Sequence, residues 1–220
     1  MRYAIVTDLH GDLAALRRVL VDVARERVDQ VLCLGDVFEC HIGKRDRADY
    51  AFGSVAEVFD QVPELVALLD GAVVVRGNQE ERIASLVPDH ALPAWSRAVL
   101  DAPLEHRTPF ATYCHGHPLP WQQVEPGKWC PLDAEFAGRA LVHGHHHRSA
   151  VHRLPRTGRA WRDVTTLPFR YGEPVPLTAG HRYLVNVGQV RGADPNWAVI
   201  DERAATVTYH RPAQQPTESA

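Results

Sequence analysis

Side chains of the kind that bind metal ions recur along this chain, each shortly after an apolar run. The set is Asp8, His10, Asp36, Asn78, His115, His145 and His147. Carboxylate, amide and imidazole groups are donors that proteins offer to divalent cations. Because few positive charges lie among them, they can share one pocket at tolerable electrostatic cost only if cations lie between them. The pattern therefore predicts a site for two metal ions.

Five apolar runs typical of buried parallel strands must position these residues. The runs cover residues 3–7, 31–34, 73–75, 111–114 and 140–142, and each ends within a few residues of a predicted ligand. An open α/β sheet binds its ligands at the carboxyl ends of its strands. We therefore expect the seven side chains to converge at one carboxyl edge of a sheet.

Helical patterns separate the strands in the first half of the chain. Asp12 is a suitable N-cap for a helix in which Leu13, Leu16 and Leu20 recur at helical spacing. A second apolar stripe covers residues 55–69, and the proline at position 63 is expected to split it in two. Helical signals continue over residues 80–100, interrupted by two further prolines. The order of elements indicates an α/β class.

The second half of the chain changes character. From about residue 161, short apolar runs at 183–185, 197–200 and 205–209 alternate with turn residues, which is typical of antiparallel strands. We expect a second sheet that packs on the first. Residues 212–220 lack a large apolar side chain and are predicted to be a mobile tail, which leaves a single domain over residues 1–211.

Composition narrows the class of protein. With 220 residues, 45% of them hydrophobic and 23% charged, the chain can bury a full core. The formal net charge of −3 gives no global field that would attract a nucleic acid or an anionic membrane. Since no apolar leader opens the chain and no run reaches the roughly 18 apolar residues of a membrane span, we expect a cytoplasmic protein without a membrane partner. The four cysteines show no CxxC spacing, so neither a disulfide framework nor a zinc knuckle is indicated.

Each motif taken singly also has an ordinary structural explanation. Asp8 and His10 can be a capping aspartate beside a surface histidine, and a strand that ends in Gly35-Asp36 is common for turn reasons alone. Gly77-Asn78 can be a β-turn. The most specific motif is Gly144-His145-His146-His147, where an apolar strand runs into imidazoles at alternating positions. The joint order of the motifs favours a metal site over these explanations.

Together the motifs resemble the signature of the calcineurin-like metallophosphoesterase superfamily, in particular its small bacterial phosphodiesterase and diadenosine-tetraphosphatase-like members. That signature runs DxH, GD, GNH with D or E, HGH and GHTH. Its counterparts are Asp8-Leu9-His10, Gly35-Asp36, Gly77-Asn78-Gln79-Glu80, His115-Gly116-His117 and Gly144-His145-His146-His147. The resemblance covers residues 3 to about 150 and, less completely, 185–201. It implies a four-layer α/β/β/α sandwich of two mixed sheets flanked by helices.

The resemblance also implies how the metals are held. One ion would be bound by Asp8, His10 and His147, the other by Asn78, His115 and His145, and Asp36 would bridge them. Mixed oxygen and nitrogen donors suit Mn²⁺, Fe or Zn²⁺ better than Mg²⁺ or Ca²⁺, and Mn²⁺ is our preferred assignment. Two such ions, about 3.5 to 4 Å apart, would supply a shared hydroxide for in-line attack on phosphorus.

One residue departs from the family pattern. The position after the asparagine is commonly histidine but here is Gln79, which cannot transfer a proton at neutral pH. We expect this change to restrict the enzyme to good leaving groups, unless His117, His146 or His41 supplies the proton. Arg76 is a candidate for contacting phosphate oxygens, with a salt bridge at the rim as the alternative. Gln79, His117, Arg76 and the bridging Asp36 are therefore the candidate catalytic residues.

The implied activity is hydrolysis of phosphoester bonds in a small phosphorylated or nucleotide substrate, as a phosphodiesterase or phosphatase. Loops 39–50 and 118–131 are expected to select that substrate, and Trp121 and Trp129 either stack on a base or pack their loop. Two alternatives stay open. One is a scaffold of this fold with weak or no activity. The other is a nuclease, which is disfavoured because basic residues are scattered and lysines few. The oligomeric state is left open.

Overall fold

A computed structural model of the chain describes residues 1–126, 128–131, 136–154 and 164–213. Strands and helices alternate through the first half of this part, and strands dominate the second. The strands are β1 (Arg2–Val6), β2 (Gln30–Cys33), β3 (Val73–Val74), β4 (Glu105–Arg107), β5 (Ala111–Cys114), β6 (Trp121–Glu125), β7 (Lys128–Pro131), β8 (Ala140–His143), β9 (Ala150–Arg153), β10 (Thr165–Leu167), β11 (Pro174–Pro176), β12 (Tyr183–Asn186), β13 (Trp197–Asp201) and β14 (Thr206–His210). The α-helices are α1 (Leu13–Val23), α2 (Val55–Val58), α3 (Pro63–Leu68), α4 (Asn78–Leu86) and α5 (Arg97–Leu100).

The strands form two mixed six-stranded sheets and one separate hairpin. The first sheet has the order β11-β14-β13-β1-β2-β3, and the second has the order β10-β9-β12-β8-β5-β4. In the first, β1, β2 and β3 are parallel, and β13 pairs with β1 antiparallel. In the second, β5, β8 and β12 are parallel. The hairpin is made of β6 and β7.

The two sheets pack face to face, as the alternation of side chains along their strands requires. Ile5 and Leu32 of the first sheet share a buried cluster with Tyr113, Val142 and Val185 of the second. The opposite face of the first sheet is covered by the helices. The α/β sandwich of two mixed sheets flanked by helices is therefore confirmed. The β6–β7 hairpin packs on the outer face of the second sheet.

Several local predictions agree with the structure. Asp12 caps α1, because its Oδ1 accepts the N–H of Ala15 at 2.9 Å. The stripe over residues 55–69 is divided at Pro63 into α2 and α3. The strand expected before Asn78 is shorter than predicted and covers only Val73–Val74.

The prediction for the C-terminal strands was partly wrong. They do not form a second sheet among themselves, because β13 and β14 join β1 in the first sheet while β12 joins the second. β12 is also parallel to β8, although it is antiparallel to β9. Apolar alternation sets which residues are buried but not the direction of the neighbouring strand, so the sequence pattern could not distinguish these pairings. Of the tail predicted over 212–220, residues 214–220 lie outside the described part of the chain.

In the residues that the structure describes, no helix has the length and apolar character required to cross a membrane.

Candidate metal centre

The predicted ligands meet where the carboxyl ends of strands from both sheets come together. Asp8 and His10 follow β1, and Asp36 follows β2, in the first sheet. His115 follows β5, and His145 and His147 follow β8, in the second. The prediction of a single sheet edge was therefore wrong, since two adjacent edges supply the side chains. Asn78, the first residue of α4, completes the set.

One group of donor atoms is formed by Asp8, His10 and His147. The Nε2 atom of His147 lies 3.0 Å from Oδ1 of Asp8 and 3.3 Å from Nε2 of His10. The distance from Nε2 of His10 to Oδ1 of Asp8 is 3.9 Å. These are the three residues that the family resemblance assigns to one ion.

A second group is formed by Asn78, His115 and His145. The Nε2 atom of His115 lies 3.1 Å from Oδ1 of Asn78 and 3.2 Å from Nδ1 of His145. These are the three residues assigned to the other ion. His145 presents its Nδ1 atom, whereas the other imidazoles of both groups present Nε2.

Asp36 lies between the two groups. Its Oδ2 atom is 3.3 Å from Nε2 of His115 and 3.8 Å from Nε2 of His10. Its other oxygen accepts the backbone N–H of Gln79 at 2.9 Å. Asp8 also approaches both groups, because Asp8, Asp36 and His115 place ligand atoms within 4.8 Å of one another. The structure thus brings all seven predicted ligands together.

The donor atoms are suited to bind a divalent cation and do not all satisfy one another by hydrogen bonds. Oδ1 of Asp8 is buried and accepts no hydrogen bond from any described residue, although His147 lies 3.0 Å away. Nδ1 of His115 is 2.9 Å from the carbonyl of Leu34, which assigns the proton to Nδ1 and leaves Nε2 to face Asp36. A buried carboxylate oxygen and an imidazole lone pair aimed into one space are what a mixed oxygen and nitrogen site requires.

The charges of the site point the same way. Burial lowers the pKa of His115, but the carboxylates of Asp36, Asp8 and Glu80 outweigh it and raise that pKa to about 9. Burial raises the pKa of Asp36, but the His115 imidazole outweighs it and lowers that pKa overall. Burial, with the charge of His115, lowers the pKa of His145 to about 4, so that imidazole is neutral as a ligand must be. The carboxylates therefore stabilise positive charge at this point.

The backbone of the site is strained. Positive φ occurs at six non-glycine residues of the described chain, and five of them are predicted ligands. The five are Asp8 (54°), His10 (48°), Asp36 (51°), His145 (69°) and His147 (57°). Left-handed conformations of this kind cost of order 1–3 kcal/mol each and cluster at functional sites. Turns, rather than the alternation of side chains along a strand, therefore place Asp8 with His10 and His145 with His147.

Two glycines allow the ligand loops to approach closely. A Cβ atom on Gly77 would overlap the carboxylate of Asp36, and one on Gly144 would overlap Thr7 and the carboxylate of Asp8. Oδ2 of Asp8 accepts the backbone N–H of His145 at 3.0 Å across this narrow gap. This hydrogen bond connects the Gly144-His145-His146-His147 motif directly to the Asp8-Leu9-His10 motif.

Two acidic residues support the ligands and were not assigned a role from the sequence. The carboxylate of Glu80 is fully buried and accepts the N–H groups of Asp36 and Gly77 at 2.8 and 2.7 Å. Oε2 of Glu39 lies 2.6 Å from Nδ1 of His10. The only sequence indication of Glu80 was its place in the Gly77-Asn78-Gln79-Glu80 motif, and Glu39 gave none.

Gln79 is engaged in structural contacts. Its side-chain oxygen accepts a hydrogen bond from Nη2 of Arg82 at 2.6 Å and from the backbone N–H of Cys40 at 3.2 Å. The side chain is buried, and its hydrogen bond with Cys40 joins α4 to the start of the 39–50 loop.

The other candidate catalytic residues meet at Glu81, on the rim of the centre. Nε2 of His117 lies 3.0 Å from Oε2 of Glu81, and Nε of Arg76 lies 3.8 Å from its Oε1. The His117 ring centroid is 5.4 Å from that of His115. Arg76 therefore makes the salt bridge that was its alternative assignment. His41 pairs with Asp60 at 3.5 Å.

Residues 118–131, expected to be a loop, contain the β6–β7 hairpin. Trp121 lies 4.8 Å from the ring of His143 and 4.5 Å from that of His146, between centroids. Trp129 stacks on His146 at 5.2 Å. Both tryptophans therefore pack their segment onto the ligand loop after β8.

A family profile described as the calcineurin-like phosphoesterase superfamily domain matches residues 1–202. A search of curated protein sequences found no match. Among solved structures, the chain is similar to a metallophosphoesterase from Sphaerobacter thermophilus, with 23% identity, a TM-score of 0.66, and coverage of 98% of this chain and 89% of that one. It is also similar to Yfce, a phosphoesterase from E. coli, with 18% identity, a TM-score of 0.48, and coverage of 97% of this chain and 100% of that one. A third similar structure is an archaeal phosphodiesterase, with 12% identity, a TM-score of 0.48, and coverage of 96% of this chain and 99% of that one.

Proposed function

Because the chain belongs to the calcineurin-like phosphoesterase superfamily, we propose that it hydrolyses phosphoester bonds in a small phosphorylated substrate, with two divalent metal ions held at this centre. The observation that carries the proposal is the position of Asp36, whose Oδ2 faces His115 of one donor group and His10 of the other. One carboxylate placed between two complete donor groups is the arrangement that a two-metal hydrolase needs.

The two donor groups indicate which residues would hold each ion. Asp8, His10 and His147 would hold one ion, and Asn78, His115 and His145 the other, with Asp36 shared. When bound, the ions would supply Lewis acidity toward phosphoryl oxygens and toward the attacking water. Mn²⁺ remains our preferred metal, with Fe or Zn²⁺ as the alternatives, because the donors combine carboxylate and amide oxygens with imidazole nitrogens.

His117 is the proposed carrier of the proton that the leaving group needs. Its side chain is nearly buried beside the second donor group, and Glu81 faces its Nε2 atom at 3.0 Å. Gln79 and Arg76 also have partners, Arg82 and Glu81 respectively, but the chemistry of their side chains is what makes them less suited to this role. An imidazolium can give up a proton near neutral pH, and the imidazole left behind can take one up again, which neither a carboxamide nor a guanidinium can do.

The substrate class we propose is a phosphodiester or phosphoanhydride with a good leaving group, including nucleotides. The loop 39–50 and the β6–β7 hairpin flank the centre and are the proposed sites of selection. A screen of nucleotides, dinucleoside polyphosphates and cyclic nucleotides with Mn²⁺ would identify the preferred substrate.

The test of the proposal uses chelator-treated protein to which Mn²⁺ is restored. We expect about two ions per chain by elemental analysis, and metal-dependent hydrolysis of bis-p-nitrophenyl phosphate. Asp36→Asn should lose activity by more than the roughly 10–100-fold typical of residues that only support ligands. Asp70→Asn, an exposed aspartate outside the centre, is the matched control and should retain activity. Two bound ions without hydrolysis of any ester would instead favour the scaffold alternative, and strand cleavage of DNA or RNA the nuclease alternative.

A further inference from the structure

The β6–β7 hairpin lies beside the metal centre but carries none of the seven proposed ligands. It is fixed to the outer face of the second sheet, where Cys130 is fully buried and Val124 packs in the same cluster as Leu141. The ammonium group of Lys128 donates a hydrogen bond to the carbonyl of Val164 at 2.8 Å. The hairpin therefore has its own attachment to the sheet, independent of the ligand loops.

Trp121 reaches from this hairpin to the loop that carries His115. Its indole N–H donates a hydrogen bond to the carbonyl of Gly116 at 2.7 Å. Gly116 has a φ of 106°, and a Cβ atom there would lie 3.2 Å from the indole ring. The ring thus packs directly against the backbone next to His115.

The same indole contacts the loop that carries His145 and His147. It meets the ring of His146 edge to face, with centroids 4.5 Å apart and an interplanar angle of 89°. Trp129 stacks on the ring of His146 at 5.2 Å and 11°. Nε2 of His146 is buried and makes no hydrogen bond within the described residues, so ring packing rather than a hydrogen bond holds that edge of the imidazole.

We propose that Trp121 is a positioning residue that joins the two ligand loops and sets the distance between His115 and His145. That distance is 3.2 Å from Nε2 of the first to Nδ1 of the second. The loops follow the neighbouring parallel strands β5 and β8, and the backbone N–H of Gly144 donates to the carbonyl of His115 at 3.2 Å. Beyond this backbone pairing, the side chain of Trp121 bridges the loops through Gly116 and His146. The inference rests on the proposed function, because both histidines are proposed ligands of the same ion.

The two contacts of Trp121 can be separated by substitution. Trp121→Phe keeps an aromatic ring against His146 but removes the N–H that binds Gly116. Trp121→Ala removes both contacts. Gln123→Ala changes an exposed residue of the same strand and is the matched control.

The test is titration of Mn²⁺ into chelator-treated protein, followed by calorimetry, with the unfolding temperature of the metal-free protein measured in parallel. We expect Trp121→Phe to bind one of its two ions about 10–100-fold more weakly than wild type, with little change in unfolding temperature. Gln123→Ala should keep both affinities. Native affinities for both ions in Trp121→Phe would overturn the proposal, and so would an equal loss in Gln123→Ala. If Trp121→Ala fails to fold, Trp121→Phe decides the question.

The two proposals fail in different ways. Wild-type protein that binds two Mn²⁺ ions but hydrolyses no phosphoester overturns the proposed function. In that case, a lower affinity of Trp121→Phe for one Mn²⁺ ion still supports the positioning role. Active wild-type protein together with unchanged affinities in Trp121→Phe overturns only the positioning role. Wild-type protein that binds fewer than two ions overturns both.

Discussion

The carboxylate of Glu80 accepts the backbone N–H of Asp36 at 2.8 Å, beneath the metal centre. The same carboxylate accepts the N–H groups of Val37, Phe38 and Gly77 at 2.8, 3.1 and 2.7 Å. Burial, with the charge of Asp36, raises the pKa of Glu80 to about 7, while these N–H groups favour its charged form. One buried acid therefore holds the loop after β2 against the start of α4.

Replacing Glu80 with alanine should destabilise the protein. Four buried N–H groups would lose their acceptor, and each unsatisfied group costs roughly 1–3 kcal/mol before relaxation. We expect the free energy of unfolding to fall by about 3 kcal/mol or more, measured by urea denaturation. Glu80→Gln keeps one oxygen and should cost less. Glu81→Gln, at the next and more exposed position of α4, should stay within about 0.5 kcal/mol. A Glu80→Ala protein as stable as this control would show that water replaces the carboxylate freely.

Gly77→Ala and Gly144→Ala should disturb the centre by crowding rather than by backbone strain. Neither glycine has a positive φ, but a Cβ atom would overlap the carboxylate of Asp36 in one case and of Asp8 in the other. Overpacking of this kind typically costs about 1–3 kcal/mol, and displaced carboxylates should also weaken Mn²⁺ binding. Gly53→Ala is the control, since its Cβ would meet only the flexible end of Glu57. Calorimetric titration checks the affinities, and native binding in both variants would contradict the close approach.

Glu39→Gln should weaken metal binding without unfolding the protein. Its carboxylate lies 2.6 Å from Nδ1 of His10, and loss of such an outer partner typically costs 10–100-fold in metal affinity. The side chain is 35% exposed, so we expect little change in stability. Arg191→Gln removes the exposed guanidinium 3.4 Å from the same carboxylate and should change affinity much less. Equal affinities in Glu39→Gln and wild type would mean that His10 is oriented by its backbone alone.

Gln79→His should raise activity on alkyl phosphoesters more than on aryl phosphoesters. A new imidazole would offer a proton, which poor leaving groups need and good ones do not. The change also removes the acceptor of Arg82 and Cys40, so stability should fall by about 1–2 kcal/mol. Gln79→Glu keeps that acceptor and is the control for stability, since a carboxylate that is ionised at neutral pH has no proton to donate. Steady-state rates on matched esters provide the measurement, and an equal gain on both ester classes would count against the leaving-group hypothesis.

The proposed metal ligands could be selected from the sequence because most of them closely follow a buried strand, although Asn78 begins a helix. For His115, the strand end alone places the side chain near the centre, whereas Asp36 also requires a left-handed turn. The left-handed turns at Asp8 and His145 could not be predicted, since aspartate and histidine reach this conformation only where surrounding contacts offset its cost. Motif order therefore indicated the candidate residues, and the structure describes how the backbone presents them.

Long-range contacts account for most of what the sequence could not show. The assignment of β5 and β8 to a second sheet depends on partner strands that a four-residue sequence does not specify. The hydrogen bond between Glu80 and Asp36 joins residues that are 44 positions apart in the chain. The packing of Trp121 on His146 likewise joins separate elements, so base stacking and loop packing were equally compatible with the sequence.

The final prediction concerns His152, on β9 in the second sheet. Its ring is 6% exposed, and its Nδ1 lies 3.0 Å from Oγ1 of Thr166. Burial, with the charge of Lys128, lowers its pKa from 6.5 to about 4. Between these two values the unfolded chain binds a proton that the folded protein does not. The contribution to stability is therefore fully present above about pH 6.5 and is lost as the pH falls toward 4.

Replacing His152 with glutamine removes this titration while keeping a polar partner for Thr166. We expect the free energy of unfolding to fall less steeply with acidification in His152→Gln than in wild type over this range, measured by urea denaturation in half-unit pH steps. The slope is the decisive quantity, because the substitution also changes stability by a constant amount at every pH. His90→Gln replaces an exposed histidine and should keep the wild-type slope. If His152→Gln also keeps that slope, His152 is protonated in the folded protein at mildly acidic pH, and β9 tolerates a buried imidazolium.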